Sequence, residues 1–345
     1  MYFCKRQTIM IFPFFYPFKN RYSTCFILFL LLQTGYVFSQ EKVTLSGYIT
    51  EIESNETLIG VSIIIPELQF GTITNEYGFF SLTLPKGSYQ FQISYLGFET
   101  QIQTLDLKKD LTQNFKLLSQ TELLDEVIVE ENIELLNIRS PQMSVNNLAI
   151  NTIKKIPAVL GEVDIIKSIT LLPGVTNAGE GASGFNVRGG AADQNLILLD
   201  EAIIFNSSHL FGFFSVFNPD AIKDIRLYKG GIPSNYGGRA SSVLNIYQKE
   251  GNRNNFKSQG GIGLISSRLL LEGPIKKEKS SFLIGGRSSY AHLFLPLIES
   301  IDNNKAYFYD LNTKLSYILN EKNNFYLSGY FGRDVFDIDN LFDLP

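Results

Sequence analysis

Hydrophobic and polar positions alternate most strictly near the end of the chain. Tyr307, Tyr309, Leu311, Thr313, Leu315, Tyr317 and Leu319 share one face, and Phe308, Asp310, Asn312, Lys314 and Ser316 the other. The run is thirteen residues long, whereas most strands have about 5–6. Phe282–Phe294 and Asn324–Arg333 repeat the pattern. Their connections are Pro274–Lys279, Pro296–Asn304 and Asn320–Asn323, the middle one longest. From residue 256 onward the pattern predicts long antiparallel strands, about four of them, with tight turns at one end and a longer loop at the other.

Shorter periods occur earlier. In 41–119, Val43, Leu45, Gly47 and Ile49 alternate with polar neighbours, and Val61–Ile65, Tyr77–Leu84 and Tyr89–Tyr95 read as further strands. Turn signals at Asn75, Gly78, Pro85-Lys86-Gly87 and Gly97 come at sandwich spacing. Residues 146–250 mix periods. Ile165, Ile166, Ile169 and Leu172 predict an amphipathic helix stopped by Pro173-Gly174. Asn218-Pro219-Asp220 predicts the start of a short helix, with asparagine as cap. Phe185–Val187, Gln194–Asp200, Ile225–Tyr228 and Ser242–Ile246 predict strands, and the glycine clusters between them carry Arg188, Lys229 and Arg239.

Composition narrows the class. A chain of 345 residues with 44% hydrophobic and 19% charged residues is folded protein of two or three domains. Residues 1–39 read as an export signal: Lys5, Arg6, Lys19 and Arg21 precede the apolar run Cys25–Leu32, and cleavage follows Ser39. Both cysteines lie in this leader, so the mature chain has no disulfide, and no cysteine follows the cut for lipoprotein anchoring. Removing four leader cations leaves 26 basic against 34 acidic residues, which argues against a nucleic-acid partner. The only histidines are His209 and His292, 83 positions apart, so neither a zinc site nor a catalytic set is expected. Ser207-Ser208-His209 lacks the glycines of a nucleophile elbow. Gly179–Gly184 matches G-x-G-x-x-G, but a helix precedes it and a strand follows, the reverse of a dinucleotide site.

Two resemblances carry the functional expectation. Leu45-Ser46-Gly47, Gly60-Val61-Ser62, Thr72–Asn75, Gly78–Leu82, Pro85-Lys86-Gly87 and Ser94–Phe98 resemble the carboxypeptidase-regulatory-like domain, an accessory module without catalytic residues. Ile156-Pro157, Gly161-Glu162, Leu172–Val175, Val187–Gly190, Asp200, Tyr228–Gly230 and Tyr236–Arg239 resemble the plug of TonB-dependent outer-membrane receptors. His209–Gly212 with Ser215–Asn218 fits a Bacteroidetes-like branch.

The resemblance implies a mainly β protein. Its parts would be the signal (1–39), an Ig-like β-sandwich (41–119), a linker (120–145), an α+β plug (146–250) and the first strands of an incomplete antiparallel transmembrane β-barrel (251–345). The linker hexad Asp125, Glu126, Val127, Ile128, Val129 and Glu130 resembles a TonB box, which adds as a strand to a TonB-type energising protein. Arg188 and Arg239 would latch the plug by pairing with carboxylates of the barrel wall. Phe205, His209 and Phe211 are candidates for a ligand-touching apex.

The implied function is the front part of an outer-membrane transporter, not an enzyme, without cofactor or metal. It would take up a scarce ligand such as a siderophore, a cobalamin-like compound, an oligosaccharide or a peptide, with a surface lipoprotein as a further partner. Membrane barrels need about 8 strands or more, so a chain with four is expected to be a fragment unable to import by itself. The rival expectation is a complete soluble periplasmic or surface binding and adhesion module.

Overall fold

The computed structural model describes residues 41–120, 144–154, 156, 162–179, 184–293, 305–320 and 323–337. The leader and the hexad Asp125–Glu130 lie outside the described residues.

Eight strands form the first domain: β1 (Lys42–Glu51), β2 (Ser62–Ile65), β3 (Phe70–Ile73), β4 (Phe79–Pro85), β5 (Gly87–Ser94), β6 (Gln101–Leu107), β7 (Leu111–Thr112) and β8 (Phe115–Leu117). One sheet joins β4 to β1, with β7 and β8 both parallel to β1; the other runs β3-β2-β5-β6. Alternation buries Leu45 and Ile49 from one sheet against Ile63, Ile65, Phe91 and Ile93 from the other, which is sandwich packing. β6 gives no hydrophobic signal in the sequence because, apart from buried Leu107, its residues are half-buried or exposed, as suits an edge strand.

The second domain contains β9 (Val145–Ala149), a helical turn (Ile150–Ile153), a helix (Ile165–Ile169), β10 (Val175–Asn177), β11 (Phe185–Val187), β12 (Asn195–Leu199), β13 (Ala202–Ile203), β14 (Ser208–His209), β15 (Phe214–Ser215), β16 (Ile222–Tyr228) and β17 (Ser242–Gln248). Its main sheet has the order β13-β12-β17-β16-β9. The β12–β17 pair is parallel and the other pairs are antiparallel. The helix packs Ile165, Ile166 and Ile169 on this sheet, and Asp164 caps it, accepting from the Lys167 N–H at 3.0 Å.

The helix expected at Asn218-Pro219-Asp220 does not form. Asn218 Oδ1 accepts from the Asp220 N–H at 3.1 Å, its carbonyl accepts from Ala221, and the chain enters β16 at Ile222. Pairing of β16 on both edges outcompetes one turn of helix.

Five strands follow: β18 (Lys257–Ile262), β19 (Ser266–Lys276), β20 (Ser280–Ser289), β21 (Lys305–Asn320) and β22 (Asn323–Asp337). They form one antiparallel sheet in chain order, one strand more than the sequence pattern predicts. The additional strand is β18, whose Lys257-Ser258-Gln259-Gly260-Gly261 has no apolar period. The faces of β21 are inverted relative to a water-soluble sheet. Phe308, Asp310, Asn312, Lys314 and Ser316 are buried, whereas Tyr309, Leu311, Leu315, Tyr317 and Leu319 are exposed. β22 continues the outward apolar row with Phe325, Leu327 and Phe331. That is the face arrangement of a membrane-spanning barrel wall.

Candidate functional site

The buried polar face of the five strands lies against the second domain, and charge organises the contact. Glu162, just before the helix, is 3% exposed and pairs with Arg287 of β20. The same guanidinium donates from Nε and Nη2 to Asp310 Oδ2 at 2.9 and 2.6 Å, and from Nη2 to the Ser215 carbonyl at 2.7 Å. Ser266 Oγ donates to the other Glu162 oxygen at 2.6 Å. A charge removed from water needs such pairing, and among the charged groups here only Asp310 Oδ1 is left without a hydrogen-bond partner.

Asp220 forms a second node. Lys154 Nζ approaches Oδ1 at 2.8 Å, while Arg268 Nε of β19 approaches Oδ2 at 2.7 Å. Burial pushes the Asp220 carboxyl up, but the two cations outweigh it and hold the group below its ordinary range. Asp200, held at φ 46°, forms a third node. It accepts from the Gln248 backbone at 3.0 Å and pairs with Lys314 of β21 at 3.0 Å. In each of the three nodes a carboxylate of the second domain meets a cation of a strand, with strand Asp310 joining the first node and second-domain Lys154 the second.

His209 closes the contact. It is 2% exposed and stacks on Phe308 with ring centroids 4.3 Å apart. Its Nδ1 lies 3.1 Å from both Asp334 oxygens, and its Nε2 lies 3.3 Å from Asp310 and 3.2 Å from the Tyr330 hydroxyl. The sequence places His209 among apex residues open to a ligand. The structure buries its side chain against β21 and β22.

The two arginines expected to latch the plug lie outside this contact. Arg188 is exposed at φ 49° and donates to Ser144 Oγ at 3.1 Å. Arg239 is exposed and its nearest acceptor is the Gly238 carbonyl at 3.5 Å. Among the described residues neither arginine reaches a carboxylate. Glu162 and Asp200 stood in the matched motifs without an assigned role. The usable signal was the row Asp310, Asn312, Lys314, whose charges fall strictly between aromatic and leucine positions.

Phe205 is 87% exposed. It borders a cavity of about 320 Å³ whose lining includes Phe185, Asp193, Asn195, Asn206 and Arg239. This brings one expected apex residue beside one expected latch residue. The side chain of Phe211 lies outside the described residues.

Residues 45–129 match the CarboxypepD_reg-like domain, and residues 138–243 match the TonB-dependent receptor plug domain. The TonB-dependent receptor SusC of Bacteroides thetaiotaomicron is 26% identical over 243 residues, which cover 66% of this chain and 23% of that protein. The siderophore receptor PirA of Acinetobacter baumannii aligns with a TM-score of 0.43 at 20% identity, over 61% of this chain and 33% of that one. PirA of Pseudomonas aeruginosa aligns with a TM-score of 0.40 at 20% identity, over 55% and 35%. The chain thus spans about a quarter of the length of SusC. The chain thus carries a TonB-dependent receptor plug domain, whose carboxylates meet the polar inner face of the strands, with a CarboxypepD_reg-like domain before it, and it is similar in sequence to a TonB-dependent receptor.

Proposed function

We propose that the chain is the N-terminal part of an outer-membrane receptor that takes up a scarce ligand under the drive of a TonB-type protein. The observation that carries this is the inversion of β21, polar toward the plug and apolar outward. A strand sheet with that polarity has lipid as its natural outer solvent. The plug nodes at Glu162, Asp200 and Asp220 hold the plug against the wall by charge pairs, which can part without unfolding either side. The cavity bounded by Phe205, Asn206 and Arg239 is the surface on which a ligand would rest, offering an aromatic face and a cation. A siderophore, oligosaccharide or peptide would suit it. Asp125–Glu130 supplies the strand that a TonB-type partner would pair with, and a surface lipoprotein would serve as a second partner.

The test is made in intact cells. Val127→Cys should form a disulfide with a cysteine placed in the TonB-type protein, and the chain should sediment with outer-membrane lipid. Recovery of the full chain in the soluble periplasmic fraction, without that cross-link, would overturn the proposal in favour of a soluble binding module.

A further inference from the structure

The sandwich domain touches the plug through charge rather than through a shared core. Their apolar clusters are separate: one is built on Leu45, Ile63 and Phe91, the other on Ile169, Ile225 and Leu244. Between them lies a buried four-charge node. Lys223 of β16 sits 3.5 Å from Glu56 and 3.4 Å from Glu250, and Arg253 pairs with Glu250 from the other side. Side-chain exposure is 10% for Lys223, 5% for Glu250, 2% for Arg253 and 12% for Glu56. The node is neutral only when the sandwich contributes Glu56.

The turn that carries Glu56 also satisfies the chain leaving the plug. The Glu250 N–H donates to Glu56 Oε1 at 2.7 Å, and the Arg253 N–H donates to the Ser54 carbonyl at 2.9 Å. Arg253 Nη1 donates to the Asn55 carbonyl at 2.6 Å, and Asn254 Nδ2 to the Glu53 carbonyl at 2.8 Å. Exposed Lys257, the first residue of β18, pairs with Glu53 at 3.2 Å. On its other side the same segment is tied to the strands. Ser281 Oγ and Ser316 Oγ donate to the Glu250 carbonyl at 2.7 and 3.3 Å. Gly251 is at φ +85°, and a Cβ there would lie 2.5 Å from the Phe282 carbonyl oxygen.

We propose that the sandwich is a detachable brace. Seated, it fixes the end of β17 and the segment Lys249–Lys257 to the base of the strands. Lifted, it frees that end of the plug. The polar seat makes detachment reversible, because water reaches the charges and their hydrogen-bonding groups once the sandwich lifts, while no apolar core is torn open. Its use in transport rests on the receptor function proposed above, but the brace itself is tested without a ligand.

Hydrogen exchange is followed on the full chain in non-ionic detergent micelles. The substitution Glu56→Lys is made on the sandwich, so the plug sequence is untouched. Amides of Tyr247–Arg253 should exchange about tenfold faster or more, while β2, β5, β21 and β22 keep their protection. Wild-type exchange over Tyr247–Arg253 would overturn the brace, whether or not the turn at Glu53–Thr57 loosens. A second variant adds Glu53→Cys and Lys257→Cys, bridged by a short reducible bis-thiol reagent. Bridging should return exchange to the wild-type rate, and reduction should restore the fast rate. A bridge that fails to slow exchange would show that Glu56→Lys acts by local damage, and would equally overturn the proposal.

Discussion

Replacing Arg287 by methionine is the sharpest perturbation of the plug contact. Methionine fills similar space but leaves Glu162 and Asp310 facing each other with no cation. Their side chains are 3% and 0% exposed, so water cannot substitute for the lost guanidinium. Breaking a buried pair from one side typically costs about 3–5 kcal/mol. The Ser215 carbonyl also loses a donor, adding about 1 kcal/mol. The exposed pair Lys305–Asp337, with side chains 60% and 58% exposed, provides the control; Lys305→Ala there should cost about 0–1 kcal/mol. Urea unfolding of the micelle-bound chain, followed by near-ultraviolet circular dichroism, measures both. Replacing all three residues by neutral ones (Arg287→Met, Glu162→Gln, Asp310→Asn) should recover much of the loss, because no uncompensated charge remains. If Arg287→Met cost no more than Lys305→Ala, the node would not be sealed from water, and charge could not be what seats the plug.

Two further outcomes follow from the same contacts. Leu311→Arg places a charge on the outward face of β21 and should weaken folding into lipid vesicles by about 2–4 kcal/mol if it sits near the midplane; unchanged folding would mean that this face meets water. At the brace, burial pushes Glu250 up, but Lys223 and Arg253 more than offset it and leave the group lowered from 4.5 to about 2. A depressed carboxylate stabilises the fold above its unfolded value and loses that contribution as pH falls through the folded one. The urea midpoint should therefore drop between about pH 4.5 and pH 2, and Glu250→Gln should flatten that acid limb. An identical acid limb in both proteins would count against the node.

The sequence carried the strands with strong periods and missed those without one. β21 was visible because tyrosine and leucine alternate with Asp310, Asn312 and Lys314. β18 was not, because two glycines and three polar residues leave no period to see. The helix at Ile165–Ile169 was legible from its isoleucine spacing, whereas the turn at Pro219-Asp220 imitated a helix start. Its fate was decided by Ile222 pairing with a strand some 26 residues later in the chain (Gln248), which local sequence cannot report. The plug motifs were legible, but the partners of their charges were not. Arg188 and Arg239 are exposed beside glycines, and their expected role rests on the plug resemblance rather than on spacing. Glu162, Asp200 and Asp220 acquire their cations from strands 48–125 positions away, and no spacing rule spans such distances.

The inverted faces of β21 and β22 bear on how wall and plug fit each other. Their inner rows hold Asp310, Lys314 and Asp334, which in an empty cylinder would require water or mutual pairing. With the plug seated, Asp310 and Lys314 are shared with Arg287 and Asp200, and Asp334 with His209. Stripping the plug away would hand Lys314 and Asp334 to solvent, so the inner wall and the plug surface are chemically complementary halves.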